Sequence, residues 1–313
     1  MELSIVWMYL GFFLAAYSVI ANDSAQTLGT FIASNRTTKW YWQWATMSAV
    51  MIITLSYAYM SGDISQDRLN SIPLPETFQW YHLAASALLL SLTRLGVPVS
   101  TTILTLSVFS SHVILEKILI KSALGYAIAA ASAYVLWMIL SRFLDERAPV
   151  AKKNKRRWRL AQWVATCFLW SQWLAHDIAN VAVFLPRGES LPGWMFISFI
   201  IILVSGLGHL FYTRGGKIQE IILSKSGVKF IRSATIIDFM YALILLYFKE
   251  YSDIPMSTTW VFVGLLCGRE LAVYRDFKPK KSMKIVFPML ISDFMKMMVG
   301  LALSIILVWF ISL

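Results

Sequence analysis

Five apolar runs, each close to the length of a bilayer crossing, set the limits on how this chain can fold. Residues 3–21, 41–60, 123–140, 194–212 and 297–313 approach or exceed the run of roughly 18–20 apolar residues that spans a membrane. Backbone amides at that depth find no water and must be satisfied within the segment, so the runs are expected to be helices. Composition agrees: the chain is 58% hydrophobic and 14% charged, with a mean hydropathy of +0.63. A soluble fold of 313 residues has no interior large enough to hide that much apolar surface. No short charged leader with a small-residue cleavage site precedes the first run, which is read as a retained helix and not a signal peptide.

The formal charge of +11 raises nucleic acid as a partner, and its placement argues against it. Most of the 28 Lys and Arg fall in four blocks: Arg36 and Lys39, Arg142 to Arg159, Arg214 to Arg232, and Arg275 to Lys284. The intervening loops are expected to hold only Arg68, Lys117, Lys121 and Arg187. This is the positive-inside pattern. It puts the four blocks in the cytoplasm and the acidic stretch SGDISQDRLNSIPLPE (61–76) outside. The run KKNKRRWR (152–159) then reads as a topology anchor at anionic headgroups, with no nucleic acid involved. Cys167 and Cys267 lie in apolar segments without ligand spacing, so neither a disulfide nor a metal pair is expected.

Internal repetition is the second organising feature. AAYSVIANDSAQTLGTF (15–31) is echoed by WSQWLAHDIANVAVFLP (170–186), and LGVPVSTTILTLSVF (95–109) by SDIPMSTTWVFVGLL (252–266). Asp23 and Asp177 are 154 residues apart, and Pro98 and Pro255 are 157 apart. Two unrelated motifs in the same order at nearly the same offset divide the chain into two repeats, 1–148 and 159–313, joined by a basic cytoplasmic linker at 149–158. Following the charges from outside, 3–34 runs in, 40–60 runs out, 77–95 and 99–116 form a helix-break-helix hairpin, and 122–145 runs in. The second half starts inside: 159–186 runs out, 192–212 runs in, 230–250 and 256–274 form a second hairpin, and 285–313 runs out. The expected fold is an all-α polytopic membrane protein of two inverted-topology repeats, each with a broken first helix and a hairpin, and with both termini outside. In such folds the binding site lies at the midplane between repeats.

Four short segments carry the chemistry. Asn22-Asp23 and His176-Asp177 each put a carboxylate in the middle of an apolar run. A charge at that depth costs a few kcal/mol or more, so it has a partner or a purpose. Paired carboxylates with oxygen ligands suit a hard cation. Pro98-Val99-Ser100-Thr101-Thr102 and Pro255-Met256-Ser257-Thr258-Thr259 each place a proline before three hydroxyls at a helix start, where free amides and the helix dipole favour an anion. Ordinary capping by Ser or Thr is the alternative. His176 is either a proton-coupling group or an uncharged hydrogen-bonding one. His82, His112 and His209 have no ligand spacing. Arg94 and Lys249, just before the two breaks, are either snorkelling side chains or extra anion-attracting charges.

These residues resemble the inorganic phosphate transporter (PiT) family, which carries a G-A-N-D-V-A-N-A motif in each half and a G-x-P-V-S-T-T-H motif at each hairpin. The matching segments are ANDSAQTLGT (21–30), AHDIANV (175–181), GVPVSTT (96–102) and IPMSTT (254–259). GGKIQEIILSKSG (215–227), followed by Asp238, is similar to a further family segment. The resemblance implies sodium- or proton-driven phosphate uptake at the cell membrane. It implies substrate contacts from Asn22, Gln26, Ser100, Thr101, Thr102, His176, Asn180, Ser257, Thr258 and Thr259, and sodium at Asp23 and Asp177. Sodium is the coupling ion and no cofactor is expected; a homodimer is left open. The sequence departs from the pattern at His176 and Gln26, where the family has Asn, and at Ile103 and Trp260, where it has His. The acidic residue the family places in the second helix of each half is missing from 40–60 and 192–212. Sulfate is the alternative oxyanion. An anion channel would keep the same site. An intramembrane enzyme is disfavoured by the lack of an H-E-x-x-H or G-x-S-x-G motif.

Overall fold

The computed structural model describes residues 2–94, 99–140, 152–187, 191–215, 230–276 and 283–312, and among these every regular element is helical. Helix α1 (Glu2–Val19) passes into a π-helical segment (Ile20–Ser24), then into two short helices, α2 (Ala25–Thr27) and α3 (Gly29–Ser34). Helix α4 (Trp40–Met60) follows, then α5 (Trp80–Arg94), α6 (Thr101–Leu106) and α7 (His112–Leu140). The rest of the chain forms α8 (Lys152–Asp177), α9 (Ala179–Ala182), α10 (Gly193–Tyr212), α11 (Ile231–Tyr251), α12 (Thr258–Asp276) and α13 (Met283–Ser312).

The expected helical membrane architecture is present. Stretches 3–27, 112–140, 193–212 and 231–251 are long and apolar enough to cross a bilayer, and α4 has the length, at 21 residues. Their outward faces carry apolar side chains too: Ile53, Tyr57, Ile139, Ile201 and Tyr247 are all exposed. A helix apolar on every side requires a nonaqueous surround. The chain is a multi-pass membrane protein.

Three boundaries differ from the sequence reading. The return arm of the first hairpin is not 99–116: α6 ends at Leu106, residues 107–111 turn, and α7 begins at His112. Lys117 and Lys121 therefore sit in a helix and not in a loop. A charge count sees only that Lys is polar, whereas the apolar face of α7 reaches past both residues. The basic residues from Lys152 onward, assigned to a linker, open α8. Pro98, most of the 215–227 segment and the rest of the linker lie outside the described residues.

Packing joins the two halves closely where α7 of the first runs along α12 of the second; α8 lies along α11 and α1 along α5 within their own halves. Indole nitrogens tie across the halves, Trp170 Nε1 donating to the Met47 carbonyl and Trp44 Nε1 to the Val204 carbonyl, both at 3.0 Å. The α7–α12 contact is the tightest: a Cβ at Gly264 would lie 2.4 Å from the Tyr126 carbonyl oxygen, and one at Gly268 would lie 2.0 Å from that of Ala130. Glycines four residues apart let two backbones touch, as membrane helices do when lipid supplies no hydrophobic drive.

Candidate functional site

Both first helices break at their Asp. In the first half, Asn22 and Asp23 lie in the π-helical segment. In the second, α8 stops at Asp177 and α9 resumes after Ile178. An interrupted helix exposes main-chain and side-chain polar groups that a regular one would hide, and single π turns recur at functional sites. Asp23 and Asp177 are almost wholly buried, at 2% and 1% exposure, as are Asn22 and Asn180.

The two hairpin breaks face these carboxylates. Ser100 caps α6, its hydroxyl accepting from the Ile103 amide at 3.1 Å. Ser257 does the same for α12, accepting from the Trp260 amide at 3.1 Å. In each half one hydroxyl is thus used for capping, and two are left for the site. One hydroxyl of each half, Thr102 and Thr259, reaches the carboxylate of the other. Thr102 donates to Asp177 Oδ1 at 3.1 Å, and Thr258 donates to Asp177 Oδ2. Thr259 reaches Asp23 Oδ1 at 3.5 Å. Asn22 Nδ2 lies 2.8 Å from Asp23 Oδ1, 2.9 Å from the Val99 carbonyl and 3.3 Å from Thr101 Oγ1. Asn180 Nδ2 lies 3.1 Å from Asp177 Oδ1 and 3.2 Å from Thr102 Oγ1. Gln26 Nε2 completes the shell by donating to Asn22 Oδ1 at 3.0 Å.

Two buried oxygens of this cluster, Asp23 Oδ2 and Asn180 Oδ1, have no protein hydrogen-bond partner. Uncompensated buried acceptors cost free energy, about 1–3 kcal/mol each and more for a charged group. Oxygen-only acceptors beside carboxylates are the donor set a hard cation takes.

His176 turns elsewhere. Its Nε2 donates to the Leu245 carbonyl on α11 at 2.8 Å, and its Nδ1 is buried without a protein partner. Residues that sequence reasoning missed complete the surround. The Tyr241 hydroxyl donates to the Thr258 carbonyl at 2.8 Å, and the Ser122 hydroxyl accepts from the Ser257 amide at 2.8 Å. Nothing in their sequence context distinguishes them from other polar residues in apolar helices. Arg94 lines a cavity of about 220 Å³ with Tyr17, Ala21 and His209, beside the π-helical segment.

Two cations from the first half hold the second break. Lys121 Nζ donates to the carbonyls of Ser252, at 2.7 Å, and Ile254. Arg68 donates to those of Lys249, at 3.1 Å, and Ser252. Cations on the last carbonyls of a helix offset its negative end. Burial lowers the pKa of the Arg68 guanidinium, and Asp253, Asp67 and Glu250 nearby act against that shift.

No family model matches the chain. A phospho-N-acetylmuramoyl-pentapeptide-transferase from Fervidobacterium nodosum is 31% identical over 139 residues. That match covers 44% of this chain and only 40% of the transferase. A solved structure, the sodium-dependent phosphate transporter, superposes with a TM-score of 0.64 at 18% identity, over 100% of this chain and 99% of that one. The chain has the fold of that transporter. The likeness runs the length of both chains and bears out the all-α membrane fold expected from the sequence.

Proposed function

We propose that this protein is a secondary transporter that couples sodium ions to the movement of inorganic phosphate. The reading is carried by one observation: two buried carboxylates meet hydroxyls from two hairpin breaks, with Asp23 Oδ2 and Asn180 Oδ1 left as free acceptors. Sodium binds at Asp23 and Asp177. The oxyanion binds among Asn22, Gln26, Asn180 and the hydroxyls of Thr101, Thr102, Thr258 and Thr259, with Ser100 and Ser257 shaping the helix starts. His176 supports the shell from its α11 contact.

Coupling follows from the hydrogen bonds. Thr102 and Thr258 each have one proton to donate, and both now donate to Asp177. A sodium ion on the carboxylate takes over the charge compensation. The hydroxyls are then free to donate to an oxyanion, and the oxyanion in turn offsets the sodium charge. Each ligand therefore raises the affinity of the other by the same factor. Phosphate is favoured over sulfate because at neutral pH it keeps a proton to donate to a carboxylate.

The transport direction rests on the two repeats being inverted about the midplane, with the basic face in the cytoplasm and both termini outside. The partial relative is a transferase, but that likeness covers less than half of either chain. A site built from matching groups of both halves suits alternating access better than one-sided chemistry. Uptake of radiolabelled phosphate into proteoliposomes tests the proposal. Sodium-driven uptake that excess sulfate leaves unchanged supports it. Sulfate transport that phosphate does not inhibit overturns the substrate. Uptake driven by a pH gradient in sodium-free buffer, and lost in His176→Asn, overturns the coupling ion.

A further inference from the structure

The connection between α4 and α5, residues 61–79, is packed as part of the core. Ile64, Leu69, Ile72 and Phe78 are buried in the main apolar cluster. The ring of Phe78 lies 6.0 Å from that of Phe184, and the ring of Phe109 lies 5.2 Å from the same side chain. Phe184 is four residues past Asn180, about one helical turn further from the basic start of α8. Phe109 belongs to the turn that follows α6. The connection thus covers the segments that continue away from the basic end beyond Asn180 and Thr102. The carboxylates, amides and threonines of the central site are all buried beneath it.

Two arginines fasten the connection, and both cross between the halves. Arg187, from the second half, donates to the carbonyls of Leu69, at 3.0 Å, and Ile72. Arg68, from the connection itself, donates to those of Lys249, at 3.1 Å, and Ser252, at the end of α11. Ser252 leads directly into the second break. Arg68 is 1% exposed, its Nε has no protein partner, and its hydrogen bonds end on neutral carbonyls. A buried cation held this way lets go without breaking a hydrogen-bonded ion pair.

The turn before Arg68 keeps its own shape. Gln66 and Asp67 have φ of 48° and 68°, a left-handed conformation that costs free energy outside glycine. The Asp63 carboxylate offsets the cost by accepting from the amides of Ser65, at 2.8 Å, and Asp67, at 2.6 Å. These bonds lie within the turn and do not depend on Arg68. Gly62, with φ of 89° and open space around it, joins the turn to α4.

We propose that residues 61–79 are a lid over the end of the central site away from the basic face, latched by Arg68 and Arg187 and hinged at Gly62. The lid rests on the reading of the central site as one that opens in turn to each face, and needs no particular ion.

Thiol labelling tests it in the absence of any transported ion. Ala182, buried between Asn180 and Phe184, carries the probe as Ala182→Cys, in protein that also bears Cys167→Ala and Cys267→Ala. A membrane-impermeant methanethiosulfonate is added to sealed vesicles of known orientation, one face at a time. From the face opposite the basic one, Arg68→Gln and Arg187→Gln should each label roughly tenfold faster than protein with both arginines, the worth of a hydrogen bond to a charged group. From the basic face the rate should not change. Gly62→Ala keeps both latches and strains only the hinge, and should raise the rate from the lid face several-fold. An unchanged rate in Arg68→Gln or in Gly62→Ala overturns the lid. A rise of equal size from both faces also overturns it, since that marks a loosened fold. The expected labelling in a protein that carries no phosphate leaves the lid standing and removes the phosphate reading.

Discussion

The two hairpins carry the same hydroxyl triplet and the same serine cap, but they are anchored in different ways. After its break the first continues for only six residues, in α6, before turning at 107–111. The second continues for 19 residues, in α12, which lies against α7 with Gly264 and Gly268 in backbone contact. Its break is also held by Lys121 and Arg68, both from the first half. Beside the first break, Gly300 of α13 meets only the side chain of Val99. The site is thus near-symmetric in its chemistry and asymmetric in its support. The second hairpin is tied to the opposite half along a full helix and by two cations, while the short arm of the first packs on α5 and α7 of its own half and on α9 and α13 of the other.

The largest effect should come from the carboxylates. Asp23→Asn or Asp177→Asn should lower sodium-driven phosphate uptake by at least about 100-fold, the scale of losing a charged ligand. Both variants should still elute from size exclusion as folded protein. Equal losses would show that the chemical symmetry governs function. Loss in Asp177→Asn alone would show that the second half dominates.

Next is the cation clamp. Lys121→Met keeps the stem and removes the charge from the Ser252 and Ile254 carbonyls. It should destabilise the second break by about 1.5–3 kcal/mol. Amide hydrogen exchange should then rise at 252–257 and stay unchanged at 99–106. Faster exchange at both breaks would mean that the hairpins are coupled and not separately anchored.

Glycine contacts give a smaller, graded contrast. Gly268→Ala pushes a methyl group into the Ala130 carbonyl and should cost about 1–3 kcal/mol, the range for overpacking. Gly300→Ala meets the Val99 side chain, which can turn away, so its loss of thermal stability in detergent should be the lesser. The reverse order would sink the claim that the α7–α12 seam is the stiffer one.

The smallest expected change separates two threonines. Thr102→Val removes a hydrogen bond of 3.1 Å to Asp177, and Thr259→Val one of 3.5 Å to Asp23. Thr102→Val should weaken phosphate binding several-fold, about 1 kcal/mol, and Thr259→Val less. Both should affect sodium binding measured without phosphate less than they affect phosphate binding. Isothermal titration of the two ligands checks this.

Much of the architecture was legible because membrane helices report themselves. Lipid demands about 20 apolar residues per crossing, so length and composition placed α1, α4 and α10 within a few residues. The Asp and Ser-Thr-Thr motifs were legible because each is an exception, polar groups where apolar ones are required. What the exceptions share could be read only by their recurrence. Tyr241, Ser122 and Thr166 are also polar residues in apolar helices, but they occur once each and carry no such mark.

The sequence by itself determined that the chain lives in a bilayer, that its helices break at Asp23 and Asp177, and that hydroxyls follow each hairpin break. Those are local demands, met within a few residues by hydrogen bonding and hydration. Only the tertiary structure decided which hydroxyl answers which carboxylate. Thr102 of the first half and Thr258 of the second converge on Asp177, and His176 turns to Leu245. It also decided that Lys121 and Arg68 cap a break more than 130 residues away. Such pairings depend on how two halves pack, and packing is set by shape at glycine contacts and helix crossings that no linear spacing encodes.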